Sequence, residues 1–277
     1  MSDTSVRFCV AGIHSKQPWF VLSAARHFSL YASDNPAISH YYGFEAGASA
    51  AQTFAIPDGC VDILFDCDDS RPTARICGTT LAARNAHLST GHRYFGVRFV
   101  PGVIPDFLDV SADELVDHEI NLLDAAPVLQ DTFEQIVAQP LFAHQVELFR
   151  RFYSGKTPRA PSALTSQALR EICTRKGNIR VKQLEQLTGY SSRTLQRQFQ
   201  NDMGMSPKAF SQIIRCQSAV YDINHSKDVA FSELACDLGF SDQSHFLREF
   251  KKFVAATPFD YQKQIRDEAY LGRIRYQ

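Results

Sequence analysis

The chain has 277 residues, long enough for two domains, and its formal net charge is −1. No stretch reaches the 18 apolar residues of a membrane span, and no basic start followed by an apolar run opens the chain, so a cytoplasmic location is expected. Seven cysteines, an odd number, argue against a structural disulfide framework.

The first half reads as β-rich and then helical. His27–Tyr31, His40–Phe44 and Arg75–Gly78 are short strand candidates. Thr53–Ile56 leads into the turn Pro57-Asp58-Gly59, and the strand Cys60–Asp66 follows. Arg93–Phe99 is a further strand, closed by Pro101-Gly102. A small barrel or cupin-like sheet is the expected shape, and the mouth of such a sheet is an ordinary ligand site. Two helices follow, near Pro127–Ala138 and Leu141–Tyr153. The second carries Leu141, Phe142, Val146, Phe149, Phe152 and Tyr153, which either pack onto the sheet or form a dimer interface.

A break at Ser154–Ser162, rich in Pro, Ser and Gly, divides the chain. We expect a β-rich first domain over 1–157, a linker over 158–165 and a second domain over 166–277. Charge changes across the break. Residues 1–161 hold 12 Lys+Arg against 18 Asp+Glu, and residues 162–277 hold 17 against 12. A near-neutral whole thus hides a basic C-terminal part, as DNA binding requires.

That part contains one helical pattern twice. The first copy has Val181, Leu184 and Leu187, then Gly189-Tyr190-Ser191, Leu195, Phe199 and Pro207; the second has Phe231, Leu234 and Leu238, then Gly239-Phe240-Ser241, Phe246, Phe250 and Pro258. In each, a short helix with one apolar stripe ends at a glycine suited to a left-handed residue. Tyr190 or Phe240 is expected to cover the core. Ser191 or Ser192, and Ser241 or Asp242, are N-cap types for a second helix. The outward face of that helix carries Arg193, Gln196, Arg197 and Gln200 in the first copy. In the second it carries Gln243, Ser244, Leu247, Arg248 and Lys251. Arg and Gln have the fork geometry that reads guanine and adenine edges in the major groove. Pro207 to about Asn224 has Phe210, Ile213, Ile214, Val220 and Ile223 at helical spacing and reads as one linker helix. It would place the two reading helices in successive grooves about 34 Å apart.

The run Gly189-Tyr190-Ser191-Ser192-Arg193-Thr194-Leu195-Gln196-Arg197-Gln198-Phe199, the pair Arg215 and Ala219, the run Gly239 to Lys252 and the ending Thr257-Pro258 with Tyr261 resemble the AraC/XylS DNA-binding domain, over Glu171 to Gln262. The Pro57-to-Asp62 strand and Val97 to Gly102 resemble the β-rich sensory half of one branch of AraC-type regulators. The resemblance implies an α+β chain of two domains, the second all-α, with two helix-turn-helix modules on a linker helix. It implies base contacts from Arg193, Gln196, Arg197, Gln243, Ser244, His245 and Arg248, and phosphate contacts from Ser192, Lys208, Lys251 and Lys252. His245 also reads as a residue tucked beside the core. Arg215 reads as structural, paired with a carboxylate such as Asp237. Two positions depart from the family pattern. Glu185 stands where a small residue is usual, and Ala255 where Gly is favoured.

The expected function is a one-component transcription regulator bound to a double-stranded promoter site and controlled by an unidentified small molecule. RNA polymerase and a second copy of the chain are further possible partners. No enzyme chemistry, cofactor or metal is expected. There is no phosphate-binding glycine loop and no Cys-x-x-Cys pair, and His87 and His92 are poorly spaced for a metal. Asp58 and Asp62 are not arranged as acid and base. Cys60 and Cys67 lie too far apart along one strand to bridge, roughly 23 Å at 3.3 Å per residue. Cys173, Cys216 and Cys236 fall at helical core positions. Two alternatives stay open. One is a redox-sensing regulator using Cys9, Cys60, Cys67 or Cys77. The other is a DNA-repair alkyltransferase with a sacrificial cysteine.

Overall fold

The computed structural model describes residues 17–226 and 228–277. Helix α1 (Pro18–Ser23) opens the described chain and is followed by β1 (Phe28–Ala32), β2 (Ile38–Glu45), β3 (Phe54–Ala55), β4 (Asp62–Asp66), β5 (Thr73–Cys77), β6 (Arg84–Asn85), β7 (Arg93–Phe99) and β8 (Ile104–Pro105). Then come α2 (Ala112–Leu115), β9 (Glu119–Asn121), α3 (Leu122–Ala125), α4 (Gln130–Ala138), α5 (Phe142–Tyr153) and β10 (Pro158–Arg159). The last third is helical: α6 (Ala163–Thr174), α7 (Val181–Thr188), α8 (Ser192–Met203), α9 (Pro207–His225), α10 (Phe231–Asp237), α11 (Gln243–Val254), α12 (Pro258–Asp267) and α13 (Tyr270–Arg273), before a final strand β11 (Ile274–Tyr276).

The main sheet runs β11-β1-β2-β7-β4-β5-β9. Its pairings are antiparallel except β11 with β1, which is parallel. Among the described residues no pairing joins its two edges, so of the two shapes expected the open sheet is the one present. Side chains alternate between its faces, as strand geometry requires. Tyr41, Ile63, Phe65, Phe95, Val97 and Phe99 face α4 and α5, where Phe133, Ile136, Val146, Phe149 and Tyr153 complete one core. Packing on the sheet therefore accounts for the apolar face of α5, while Leu141 just before it is exposed.

Tyr42, Phe44, Leu64 and Tyr94 face the other way, and their core does not stop at the sheet. It continues through Trp19 and Phe20 into Phe210, Ile214, Phe246 and Tyr261 of the helical part. The Trp19 indole donates to the carbonyl of Val254 (2.8 Å) and stands edge-on to Tyr261. Strand β11 adds to the edge of a sheet built mostly from the first half of the chain. The Pro-rich segment after α5 is fastened too: β10 pairs with β8, and the Arg159 guanidinium donates to the carbonyls of Leu108 and Val110.

The Pro57-Asp58-Gly59 turn is where sheet and linker helix touch. Gln217, buried on α9, donates to the carbonyl of Pro57 (2.7 Å). A Cβ on Gly59 would lie 2.5 Å from the Phe210 ring, and its φ of +78° is one that glycine adopts without strain. From the sheet side the turn is gripped by Arg98. Its Nη1 donates to Asp58 (2.7 Å), while its Nε and Nη2 donate to the two oxygens of Asp62 (2.8 and 2.5 Å). All three side chains are buried. Asp58 and Asp62 are thus salt-bridge partners of one arginine, and burial of a charged guanidinium between apolar strands requires that pairing.

Candidate nucleic-acid interface

Each module is a pair of helices joined by a tight turn. In the first, α7 ends at Gly189 in the left-handed conformation (φ 74°), and the Ser191 hydroxyl caps α8 by accepting from the Thr194 amide. In the second, the Asp242 carboxylate caps α11 by accepting from the His245 amide (2.7 Å). Leu195 and Phe199, and Phe246 and Phe250, are buried against α9 and its neighbours, so the opposite faces of α8 and α11 point outward. The turn residues differ from expectation. Phe240 is buried, but Tyr190 is 52% exposed and Leu187 41% exposed, because among the described residues nothing packs over this side of α7. Cys236 is likewise exposed rather than in the core.

On the outward faces, Arg193, Gln196, Arg197 and Gln200 of α8 are exposed, as are Gln243, Ser244, Leu247, Arg248, Lys251 and Lys252 of α11; Lys208 is exposed at the start of α9. Among the described residues no ion pair engages Arg193, Arg197, Arg248 or Lys251, which leaves four cations open to a polyanion. Three candidates are held by the protein itself. Gln200 donates to Asp113 of α2 (2.9 Å). The Ser192 amide donates to Glu185, so that helix N-terminus already holds a carboxylate. His245 is half-buried, with Nδ1 3.1 Å from Ser241 Oγ and Nε2 3.3 Å from Glu249. The Lys252 ammonium lies 5.0 Å over the Phe253 ring, and its carbonyl accepts from the Ala83 amide. Arg215 is not paired with Asp237: it contacts the carbonyls of Gly177 and Gly239 and feels the charge of Glu249.

Sequence reasoning missed Arg98 and the role of Asp58 and Asp62. The available signal was Arg98 flanked by Val97 and Phe99 in a largely apolar strand, a position that a buried carboxylate has to answer. Beside this cluster lies a cavity of about 50 Å³, lined by Tyr42, Asp58, Asp62, Cys77, Thr79 and Arg98. Burial makes Cys67 and Cys77 poor nucleophiles. Burial pushes the Cys67 thiol up to about 11 and the Cys77 thiol up to about 12. Cys60, Cys173 and Cys216 are buried, the last two within the core that sheet and helices share. Cys9 lies outside the described residues. His92 is placed between Asp66 (2.9 Å) and Asp68 (3.6 Å), and no group of three potential metal ligands occurs among the described residues. No helix there is long and apolar enough to cross a membrane.

Two helix-turn-helix modules on one shared helix define a DNA-binding fold. Residues 184–264 match the family of helix-turn-helix domains, and residues 35–121 match a domain of unknown function, DUF6597. The C-terminal part of the chain is an AraC-type helix-turn-helix domain, the kind carried by DNA-binding transcription regulators. The chain is similar to an uncharacterized HTH-type transcriptional regulator of Haemophilus influenzae, 31% identical over 31% of this chain and 28% of that one. It is also similar to the uncharacterized HTH-type transcriptional regulator YbfI of Bacillus subtilis, 27% identical over 66% of this chain and 68% of that one. The match thus spans well under half of the Haemophilus protein and about two thirds of the Bacillus protein. Among solved structures, ToxT from Vibrio cholerae aligns over 87% of this chain and 95% of its own, at 13% identity and a TM-score of 0.40.

Proposed function

We propose that this chain is a cytoplasmic, sequence-specific transcription regulator. Residues 166–277 read a promoter site, residues 1–157 sense a small molecule and residues 158–165 join them. Arg193, Gln196, Arg197, Gln243, Ser244 and Arg248 contact bases, with His245 and Gln200 at the margins. Lys208, Lys251, Lys252 and the Ser192 hydroxyl contact phosphates. The observation that carries this reading is the pair of N-capped helices with unpaired arginines on their outward faces, held at either side of one 19-residue helix. Such a helix is about 28 Å long, close to the 34 Å repeat of the major groove. Effector control is supported by the buried Arg98 cluster, which connects a sheet-side cavity to the linker helix. RNA polymerase and a second copy of the chain belong to the same proposal as partners. The high thiol values at Cys67 and Cys77 disfavour the redox and alkyltransferase readings, because thiolate is the reactive form.

The test is selection of duplexes from a random pool with the full chain, followed by affinity measurements on variants. Arg197→Ala and Arg248→Ala should each cost about 1–3 kcal/mol and relax preference at one position of the selected site. Lys252→Ala should weaken all duplexes alike and flatten the salt dependence. A chain that enriches no sequence, or three variants with the same effect, would overturn the assignment.

A further inference from the structure

The two modules meet away from their reading helices. Gly177 and Asn178 form the turn between α6 and α7, and Gly239 and Phe240 form the turn between α10 and α11. Both glycines have positive φ, 76° and 72°, and neither leaves room for a side chain. A Cβ on Gly177 would lie 2.6 Å from the backbone nitrogen of Arg215, and one on Gly239 would run into the Asn178 amide. The turn leading into the first module therefore touches the turn inside the second, with α9 behind both.

Arg215 fills the corner between them. Its guanidinium lies 4.9 Å over the Phe240 ring. Its Nη1 approaches the carbonyl of Gly239 and its Nη2 the carbonyl of Gly177, each at 3.5 Å. One planar cation thus contacts a carbonyl at the entry to the first module and one in the turn of the second, and stacks on the second. One turn earlier on α9, Gln212 donates to Glu249 in the body of α11 (2.5 Å), so the second reading helix is tied to the same helix face. Lysine could supply the charge here but not the two-pronged, stacked geometry.

We propose that Arg215 is a positioning residue that fixes the angle and separation of the two reading helices and so sets the half-site spacing this protein accepts. The inference rests on the two modules being DNA-reading heads. Each added base pair moves the second half-site by roughly 3.4 Å and turns it by roughly 34° about the duplex. Heads locked by the Gly177–Arg215–Gly239 corner cannot follow that displacement. Heads joined by α9 alone can swing to meet it.

The experiment takes the duplex selected by the full wild-type chain and remakes it with one base pair deleted, or one or two added, between the half-sites. Affinities are measured for wild type, Arg215→Met and Arg215→Lys, alongside their melting temperatures. Wild type should lose roughly tenfold for a one-pair change, the scale of a mismatched pair in a specific site. Arg215→Met should lose less than about threefold between spacings, with Arg215→Lys between the two, while base changes inside either half-site keep their wild-type effect. A folded Arg215→Met with the wild-type spacing profile overturns the proposal. If that variant does not fold, an unchanged profile in Arg215→Lys and in Gln212→Ala overturns it equally. A wild-type chain that enriches no duplex defeats the DNA-reading proposal itself and takes this inference with it, whereas enrichment with an unchanged profile defeats this inference alone.

Discussion

Glu185 shows how one side chain can serve folding and restrain function at the same position. It sits on α7 where the family pattern has a small residue, and its carboxylate reaches across the turn to accept from the Ser192 amide. That bond holds the Glu185 carboxyl below its ordinary value, first through the Ser192 side chain and then through its backbone. A negative group at the N-terminus of α8 is favourable for the helix, and under the proposed DNA contacts it competes with a phosphate for that terminus. Glu185→Ala should therefore raise DNA affinity roughly two- to fivefold at low salt, the scale of one charge at a helix terminus. A binding titration in which the variant equals or falls below wild type would contradict this. In the second module the cap is Asp242, whose carboxyl is lowered by the His245 amide and then by the Ser241 hydroxyl. Its folded-state value lies below the ordinary 3.8, so its contribution is complete above that pH and disappears as pH falls through the lower value. Acid titration between pH 5 and 2 should lower the melting temperature of wild type more steeply than that of Asp242→Asn.

The helical elements follow closely from local chemistry, and they are the part of the fold most legible in the sequence. Ser191, Ser206, Asp242 and Thr257 each cap the helix they precede, as their positions before an apolar period imply. Ala255 closes α11 at φ 62°, in the left-handed region, as Ala269 opens α13 at φ 49°. Ala255→Gly removes the Cβ penalty there and should stabilise the chain by about 0.5–1 kcal/mol, less than the full penalty because glycine also frees the unfolded chain. A melting temperature one to a few degrees higher is the expected readout. What the sequence hid were elements that exist only through distant partners. Two-residue strands such as β6, β8 and β10 have no period to read, and β11 is a strand because β1 lies beside it. The same holds for the site. Arg193, Arg197 and Arg248 were visible from helical spacing, whereas Gln200 looked free until α2 brought Asp113 against it. Exposed Tyr190 was misread because an aromatic after a glycine turn suggests a core plug, and only three dimensions show that no neighbour covers it.

At the scale of the whole molecule, one face of the sheet shares a core with the C-terminal helices, and the Arg98 cluster lies beside the turn where they touch. Asp58 holds Arg98 from within the turn whose neighbours Pro57 and Gly59 touch Gln217 and Phe210 on the linker helix. The turn and α9 are therefore in direct contact. Breaking the cluster on one side leaves two buried carboxylates without their cation, a loss of about 3–5 kcal/mol in comparable buried pairs. Because the core is continuous, that loss should not be confined to the sheet. Wild type is expected to melt in one calorimetric transition, with calorimetric and van't Hoff enthalpies in agreement. Arg98→Met should lower that transition without splitting it, and circular dichroism of the helices should fall together with near-ultraviolet signals from the sheet aromatics. Two resolved transitions in wild type would show that the halves unfold independently. An Arg98→Met transition in which the helices keep their wild-type midpoint would show that the turn does not transmit its state to α9.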